Sequence, residues 1–265
     1  MIEPTRTGVP RLTDVRVVLL GAGAINARVA QLLADKLPSV RIVGYITRGE
    51  RPVRLSAPRI YDSKELAAAS ADIVVEAASH DALRDWGPAC LRNSRTLIVS
   101  SVGALGDDDF RRALELEAAS HGSKVVLSPG AAAGVEALAA ASTVGFTRVT
   151  HRIVKPPAAL GVAGTVGRKH LFSGTAREAA LKYPKNANSV VTTALASAGL
   201  DNTRVEIIAD SVGGCNSHEI LAEGPAGRLR ARIDNVPIHD SPRSSEQAAL
   251  AIVRLLRCFA SPLAV

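Results

Sequence analysis

An apolar run that stops on two glycines constrains this chain more than any other feature. Val15 to Leu20 (VRVVLL) is unbroken hydrophobic sequence apart from Arg16, Gly21-Ala22-Gly23 follows at once, and from Ala24 onward apolar residues recur at helical spacing to Asp35. A run without polar alternation reads as a strand buried on both faces, and the glycines permit a tight turn into a helix. That turn aims the first helical amides, those of Ala24 and Ile25 among them, at whatever lies beyond the strand end. Such an N-terminus attracts anions, and in a strand-turn-helix setting the pattern points to the pyrophosphate of a dinucleotide. Asn26 stands where a third glycine is usual. The third position serves helix-to-strand packing, so a small polar residue there is expected to loosen the fit without removing the anion site. The bland alternative is a glycine turn that holds no ligand.

The pattern repeats. VRIVGYI, ADIVVEAAS, RTLIVSS and SKVVLS are further short apolar runs, separated by helical stretches. Alternating strands and helices predict a doubly wound α/β domain with a parallel sheet, here over residues 1–130. From about Thr147 the texture changes to TRVTHRIV, RVEIIAD, SHEILAEG and RLRARIDNV, whose period-two alternation predicts a mainly antiparallel, one-sided sheet. This second, α+β domain is assigned to 131–243. SSEQAALAIVRLLRCF predicts a terminal helix over 244–260, capped by Ser244 or Ser245.

Composition narrows the function. Aromatic residues are 3% of the 265, too few for base-stacking platforms, and the formal charge of +7 comes from dispersed arginines rather than a basic block. A positive field of this kind suits small anionic substrates; neither nucleic acid nor membrane is an expected partner. Cys90, Cys215 and Cys258 are odd in number and widely spaced, which suits a reducing cytoplasm and leaves no zinc-like spacing, so no metal is expected. No signal peptide or spanning run is recognised.

Cofactor choice is read at the end of the second strand. An NAD-selective site places a carboxylate near Thr47, whereas here Thr47 and Arg48 are followed by Arg51 and Arg54. Arginine can grip a 2′-phosphate, which leans the reading toward NADP with NAD still usable; the alternative is a solvated loop. Three strand ends rich in small residues leave room for ribose and nicotinamide: Glu76 to Ser79, with Ala77, Ala78 and Ser79; Ser100 to Leu105, with Val102 and Gly103; and Ser128 to Gly134, with Ala131 and Ala132. Gly130 and Ala131 are expected to offer amides to an anion.

In the second half, Lys155-Pro156-Pro157, Tyr183 to Ser189 and Cys215 to Glu219 carry polar chemistry. Asn216 and His218 are two apart, so on a strand both face one way, and an imidazole suits proton removal from an amine. His80 falls near the crevice, while His121, His151, His170 and His239 read as surface residues.

The segments GAGAI, EAAS, SVGAL, SPGAAAGVEAL, KPP, FSGTAREAALKYPKNANSVVTTALASAGLDNTRVEIIAD and CNSHEI together resemble the L-aspartate dehydrogenase family across nearly the whole chain. The resemblance implies a Rossmann domain, an α+β domain with an open sheet, a last helix that returns to the first domain, and a homodimer. It puts His218 on the family's catalytic histidine, Asn188 on the asparagine near substrate, and Ala132 on the turn beside the nicotinamide. Asn26 and the SPRSS run at Ser241 to Ser245 depart from the family's pattern.

The expected reaction is oxidation of L-aspartate to iminoaspartate with transfer of a hydride to NAD or NADP. The imine then hydrolyses to oxaloacetate and ammonia or passes to quinolinate synthesis. His218 is the expected acid/base, with Asn188, Ala131, Ala132 and, more weakly, Lys155 holding carboxylates. Two rivals stand beside this reading: an acylating aldehyde dehydrogenase with Cys215 as nucleophile, and a nucleotide-binding regulator without turnover.

Overall fold

A computed structural model describes residues 14–48, 56–184, 186–213, 216–239 and 241–263. Cys215, Arg51 and Arg54 lie outside the described residues. The elements in order are β1 (Val15–Leu20), α1 (Ala24–Lys36), β2 (Val40–Ile46), α2 (Ser63–Ala69), β3 (Ile73–Glu76), α3 (His80–Asn93), β4 (Thr96–Val99), a 3-10 turn (Val102–Gly106), α4 (Asp108–Ser120) and β5 (Lys124–Leu127). There follow α5 (Val135–Ala141), β6 (Arg148–Lys155), β7 (Arg168–Thr175), α6 (Ala176–Lys182), α7 (Asn188–Leu195), β8 (Thr203–Asp210), β9 (Asn216–Gly224), β10 (Gly227–Asn235), β11 (Pro237–Ile238), β12 (Ser241–Ser245) and α8 (Glu246–Ala260). No described helix is long and apolar enough to cross a membrane.

The first five strands form one parallel sheet in the order β2-β1-β3-β4-β5, the Rossmann-like arrangement anticipated from the apolar runs. The order reverses between β1 and β3, and the crevice beyond the strand ends at that point is where such sheets bind ligands. β1 shows why its sequence has no alternation. Val17 and Leu19 pack with α1 and with Ala249, Ile252 and Leu256 of α8, while Val18 and Leu20 face α3 and α4 on the other side.

The second sheet has the order β10-β9-β6-β8-β7. Three of its ladders are antiparallel, and β6 pairs with β8 in parallel because the long excursion through β7, α6 and α7 separates them. Ile153, Val205 and Ile207 on its inner face share a core with Val190, Val191 and Ala194 of α7 and with Val99 and Val102 of the first sheet's side. The apolar core is therefore continuous from one sheet to the other, which fixes their relative position.

Two local features differ from expectation. Asn26 does not loosen the turn: its side chain is fully buried, and Nδ2 donates to the carbonyls of Leu20 (3.0 Å) and Gly21 (2.9 Å), tying the strand end to the helix. Ser245 is the N-cap residue of α8, yet its hydroxyl makes no cap bond; it donates instead to Asn235 Oδ1 (2.8 Å), and both residues are buried. Asn26→Ala should lower stability by about 1–3 kcal/mol, since two buried carbonyls lose a donor. Asn26→Asp should cost more, because a carboxylate cannot donate and its charge is buried. Thermal melting of the two variants checks the ranking, and equal melting temperatures for both and wild type would remove the tie.

Candidate active site

The crevice at the switch point is about 480 Å3 and is walled by Gly21 and Gly23, by Thr47 and Arg48 at the end of β2, and by Ala77, Ala78 and Ser79 after β3. Gly21 has φ +101°, and a Cβ there would stand 2.9 Å from the Ala77 carbonyl, so backbone and space both demand glycine. Gly23 is different: a Cβ would meet nothing within 4 Å, which leaves open room beside the first turn of α1. No side chain caps that turn. Free amides, a helix dipole and open space fit a pyrophosphate, and the residues present suit a dinucleotide.

Other predicted wall residues have local duties. Ser79 Oγ accepts from Ala82 N (3.1 Å) as the N-cap of α3. The Thr47 carbonyl accepts from the Arg59 guanidinium (3.0 Å), and Arg48 forms an ion pair with Asp85 of α3. Ile25 packs against the α1 and α8 side of the core, and the Val102 side chain is wholly within the core, so Val102 offers the crevice only backbone.

Below the crevice lies Glu76, which the sequence reading passed over. Its fully buried carboxylate accepts from Ala78 N (2.8 Å), Ser101 N (2.9 Å) and Ser101 Oγ (2.7 Å), so it ties the turn after β3 to the turn after β4. Burial pushes its proton affinity up and these hydrogen bonds oppose that push. The available signal was one acidic residue ending the apolar run IVVE.

Asn188 joins the two sheets' territories. Its Oδ1 accepts from Gly103 N (2.9 Å) and sits 3.0 Å from His80 Nε2, so His80, next to Ser79 of the crevice wall, is held against the start of α7. A Cβ on Gly103 would lie 2.6 Å from that His80 nitrogen, so only glycine permits the approach. With Oδ1 engaged twice, Asn188 has Nδ2 left to donate to a ligand.

The turn around Ala131 does not offer free amides. Gly130 N donates to Ser128 Oγ (3.2 Å), Ala131 N to Ser189 Oγ (3.2 Å) and Ala132 N to the Pro129 carbonyl (3.2 Å). Positive φ at Gly130 and Gly134 delays the helix until Val135, so these residues form a braced turn rather than a helix N-terminus. Asn235 Nδ2 donates to the Ala131 carbonyl (3.1 Å) and completes the brace.

His151 is not the surface residue expected from the sequence. It is fully buried, and its Nε2 lies 3.0 Å from Nδ1 of His218, itself only 3% exposed. Arg148, Thr150 and Arg152 line a groove on the outer face of the second sheet, Thr150 covered by its neighbours, which leaves Val149, His151 and Ile153 facing inward. Burial drives the His151 pKa down to about 3, with the Lys155 charge adding to the effect. Burial, His151 and Lys155 hold His218 well below its ordinary range as well. Lys155 Nζ donates to Asn186 Oδ1 (2.7 Å), and burial lowers its pKa to about 8. Among the described residues, His218 Nε2, His151 Nδ1 and Asn216 Oδ1 are buried with no hydrogen-bond partner. Arg16 Nε, Asn26 Oδ1, Arg59 Nε, Arg111 Nε and Thr203 Oγ1 are unpaired elsewhere, but these three lie together on the adjacent strands β6 and β9, where a ligand or water can satisfy them.

Residues 21–128 match the homoserine dehydrogenase NAD binding domain family, and residues 136–259 match the aspartate dehydrogenase C-terminal family. The L-aspartate dehydrogenase of Brucella anthropi is 42% identical over 255 residues, covering 91% of this chain and 94% of that protein. The chain belongs to the L-aspartate dehydrogenase family. A second member, from Ruegeria pomeroyi, is 38% identical over 263 residues, with 94% of each covered. The crystal structure of aspartate dehydrogenase from Thermotoga maritima has the same fold, with TM-score 0.79 at 24% identity over 95% of this chain and 99% of that one. Neither the acylating aldehyde dehydrogenase nor the non-catalytic regulator finds support among these relatives.

Two histidines buried in the neutral state make this aspartate dehydrogenase family member acid-sensitive in a defined window. The unfolded chain protonates them near pH 6.5 while the folded chain does not until about pH 3 for His151. The histidines' contribution to stability is thus fully present well above pH 6.5 and is lost as pH drops toward 3, by at most ~1.4 kcal/mol per pH unit for each ring. Urea unfolding should give a free energy about 1–3 kcal/mol lower at pH 5.5 than at pH 7.5, with His151→Gln reducing the difference. An unchanged value between those pH values would contradict neutral burial.

Proposed function

We propose that this chain oxidises L-aspartate to iminoaspartate with NAD(P) as acceptor, the imine then hydrolysing to oxaloacetate and ammonia or supplying quinolinate synthesis. The observation that carries the reading is the pair of unpartnered buried atoms on β9, His218 Nε2 and Asn216 Oδ1. Asn216 Oδ1 is an acceptor, His218 Nε2 is one when the ring carries its proton on Nδ1, and a substrate ammonium then supplies donors to both. His218 Nε2 takes a proton from that ammonium, freeing the lone pair that the forming C=N bond requires. Lys155 complements a substrate carboxylate, Asn188 Nδ2 donates to an acceptor on the crevice side, and the braced turn at Ala131 and Ala132 shapes the wall between them. When bound, the nicotinamide ring accepts the two electrons and hydrogen leaving the α-carbon.

The dinucleotide is held, in this reading, by the amides of Ala24 and Ile25 beyond Gly21 and Gly23, by Thr47 and Arg48 on the ribose side, by Ala77, Ala78 and Ser79, and by the Val102-Gly103 backbone with Ala132 and Asn188. Residues 1–130 with helix 244–260 form the cofactor unit and 131–243 the substrate and dimerisation unit of a cytoplasmic homodimer. The wide spacing of the cysteines and the family resemblance support that setting.

His218→Ala should lose about two to four orders of magnitude in kcat with cofactor binding retained. Aspartate oxidation and reductive amination of oxaloacetate with ammonia, each assayed with both cofactors, test the reaction itself. Tight cofactor binding without turnover in either direction would sink it. Alanine should be a far poorer substrate, because it leaves the group that meets the β-carboxylate unpaired; equal kcat/KM would overturn the dicarboxylate reading alone.

For cofactor choice, the Asp85 partner matters. A 2′-phosphate draws Arg48 away from Asp85, so the exchange limits any NADP preference. Asp85→Ala should tighten NADP binding by about tenfold or less while NAD changes little, and Arg48→Ala should weaken NADP selectively. Titration of both cofactors against both variants reads this directly, and parallel changes for NAD and NADP would remove Arg48 from phosphate recognition.

A further inference from the structure

His151 is a residue the proposed reaction does not require by name, yet it is the only described residue that hydrogen-bonds the His218 ring. The two lie diagonally across the β6 and β9 ladder, where His151 pairs with Ile220 and Ile153 with His218. On one face of a sheet such diagonal neighbours are within reach of long or aromatic side chains. The rings meet edge to face, 5.2 Å between centroids and 62° between planes, which brings Nε2 of one to Nδ1 of the other.

We infer that His151 is a positioning residue that fixes the tautomer of His218, accepting the Nδ1 proton so that Nε2 is left bare toward substrate. One proton lies between the two rings, and two arrangements place it. If His151 donates, His218 carries its own proton on Nε2 and cannot act as a base there. If His218 donates, Nε2 has a free lone pair. Only the second arrangement survives a full cycle. An imidazolium donates from both nitrogens, so once His218 has taken a proton it must have an acceptor at Nδ1, and His151 Nε2 already serves. The hydrogen bond is kept while the charge appears, so no reorganisation accompanies proton transfer.

The partner's chemistry also sets proton affinity. In the familiar triads a carboxylate holds the histidine and favours its charged form. Here no carboxylate bonds either ring among the described residues, and the acceptor is a neutral imidazole beside the Lys155 ammonium. A neutral acceptor orients His218 without drawing a proton onto it from solvent. The base stays ready at neutral pH, and the proton it acquires comes from substrate. In the reverse reaction the same imidazolium returns that proton from Nε2, with His151 unchanged.

This inference rests on His218 being the proton-transfer group, and the test separates the two. Nitrogen-15 spectra of the full-length protein labelled at histidine should show neutral His218 with its proton on Nδ1, the assignment being made by loss of the signal in His218→Ala. An unconstrained neutral imidazole carries its proton mainly on Nε2, so His151→Phe should shift the signal toward that form. In the same variant kcat should fall about tenfold with cofactor Kd unchanged, the effect of one hydrogen bond. His151→Gln, whose amide oxygen can take the place of Nε2, should restore the Nδ1 proton and most of kcat. The double variant with His218→Ala should be no slower than His218→Ala alone, since one residue acts through the other. A wild-type His218 protonated on Nε2 would overturn the inference even if every His151 variant failed to fold. So would His151→Phe with unaltered spectrum and kcat. Near-normal turnover by His218→Ala would instead overturn the reading on which it rests.

Discussion

The side-chain oxygen of Asn188 sits where the two sheets' territories meet, and the site depends on it. It accepts from Gly103 N and from His80, both on the parallel-sheet side, while Asn188 itself opens α7 on the other. The next residue, Ser189, accepts the Ala131 amide, so two consecutive side chains at one helix end organise two separate turns. Val190, Val191 and Ala194 then anchor the same short helix in the shared core. Polar contacts set direction at one end and apolar burial supplies stability along the rest. A helix of eight residues with no side-chain cap would be marginal alone; its position is imposed by tertiary contacts.

That framework supports an unusual load of buried ionisable groups. Glu76 lies under the crevice, and His151, His218 and Lys155 gather on the inner side of β6 and β9. Each resists ionisation in the folded chain through burial, and each such group lowers stability at some pH. Glu76 is offset by three hydrogen bonds from backbone and serine, so it reads as architecture. The histidines have one bond between them and outward nitrogens without partners, a destabilised arrangement that makes sense where a ligand completes it.

What was legible in the sequence was local. The VRVVLL run, its two glycines and the helix after them announce themselves through periodicity and turn chemistry, and four similar runs gave the parallel sheet. The second sheet was legible as alternating strands, but its parallel β6 and β8 pairing joins segments some fifty residues apart, as in Val149 with Thr203, and no local pattern encodes that. His151 was misread although a signal existed. In TRVTHRIV the alternation that sends Arg148, Thr150 and Arg152 outward necessarily sends His151 inward with Val149 and Ile153. Asn26, Asp85 and Ser189 were unreadable for another reason: each acts on a partner set by the fold, whether a strand-end carbonyl, an arginine on another element or a turn amide.

The electrostatics of the histidine pair bear on when His218 acquires its proton. Before substrate arrives, burial and the Lys155 charge both oppose a second positive charge, so an ammonium entering alone would be repelled. A dicarboxylate amino acid brings two negative charges with its one positive charge. In the proposed reaction its carboxylates would neutralise Lys155 and the imidazolium that forms, and would raise the proton affinity of His218 only once in place. A simple amine offers no such compensation, alanine offers half of it, and lysine sets its one carboxylate against a second ammonium. In the proposed reaction, selectivity for aspartate and activation of the base are therefore the same electrostatic event: the charges that recognise the substrate also let its proton move.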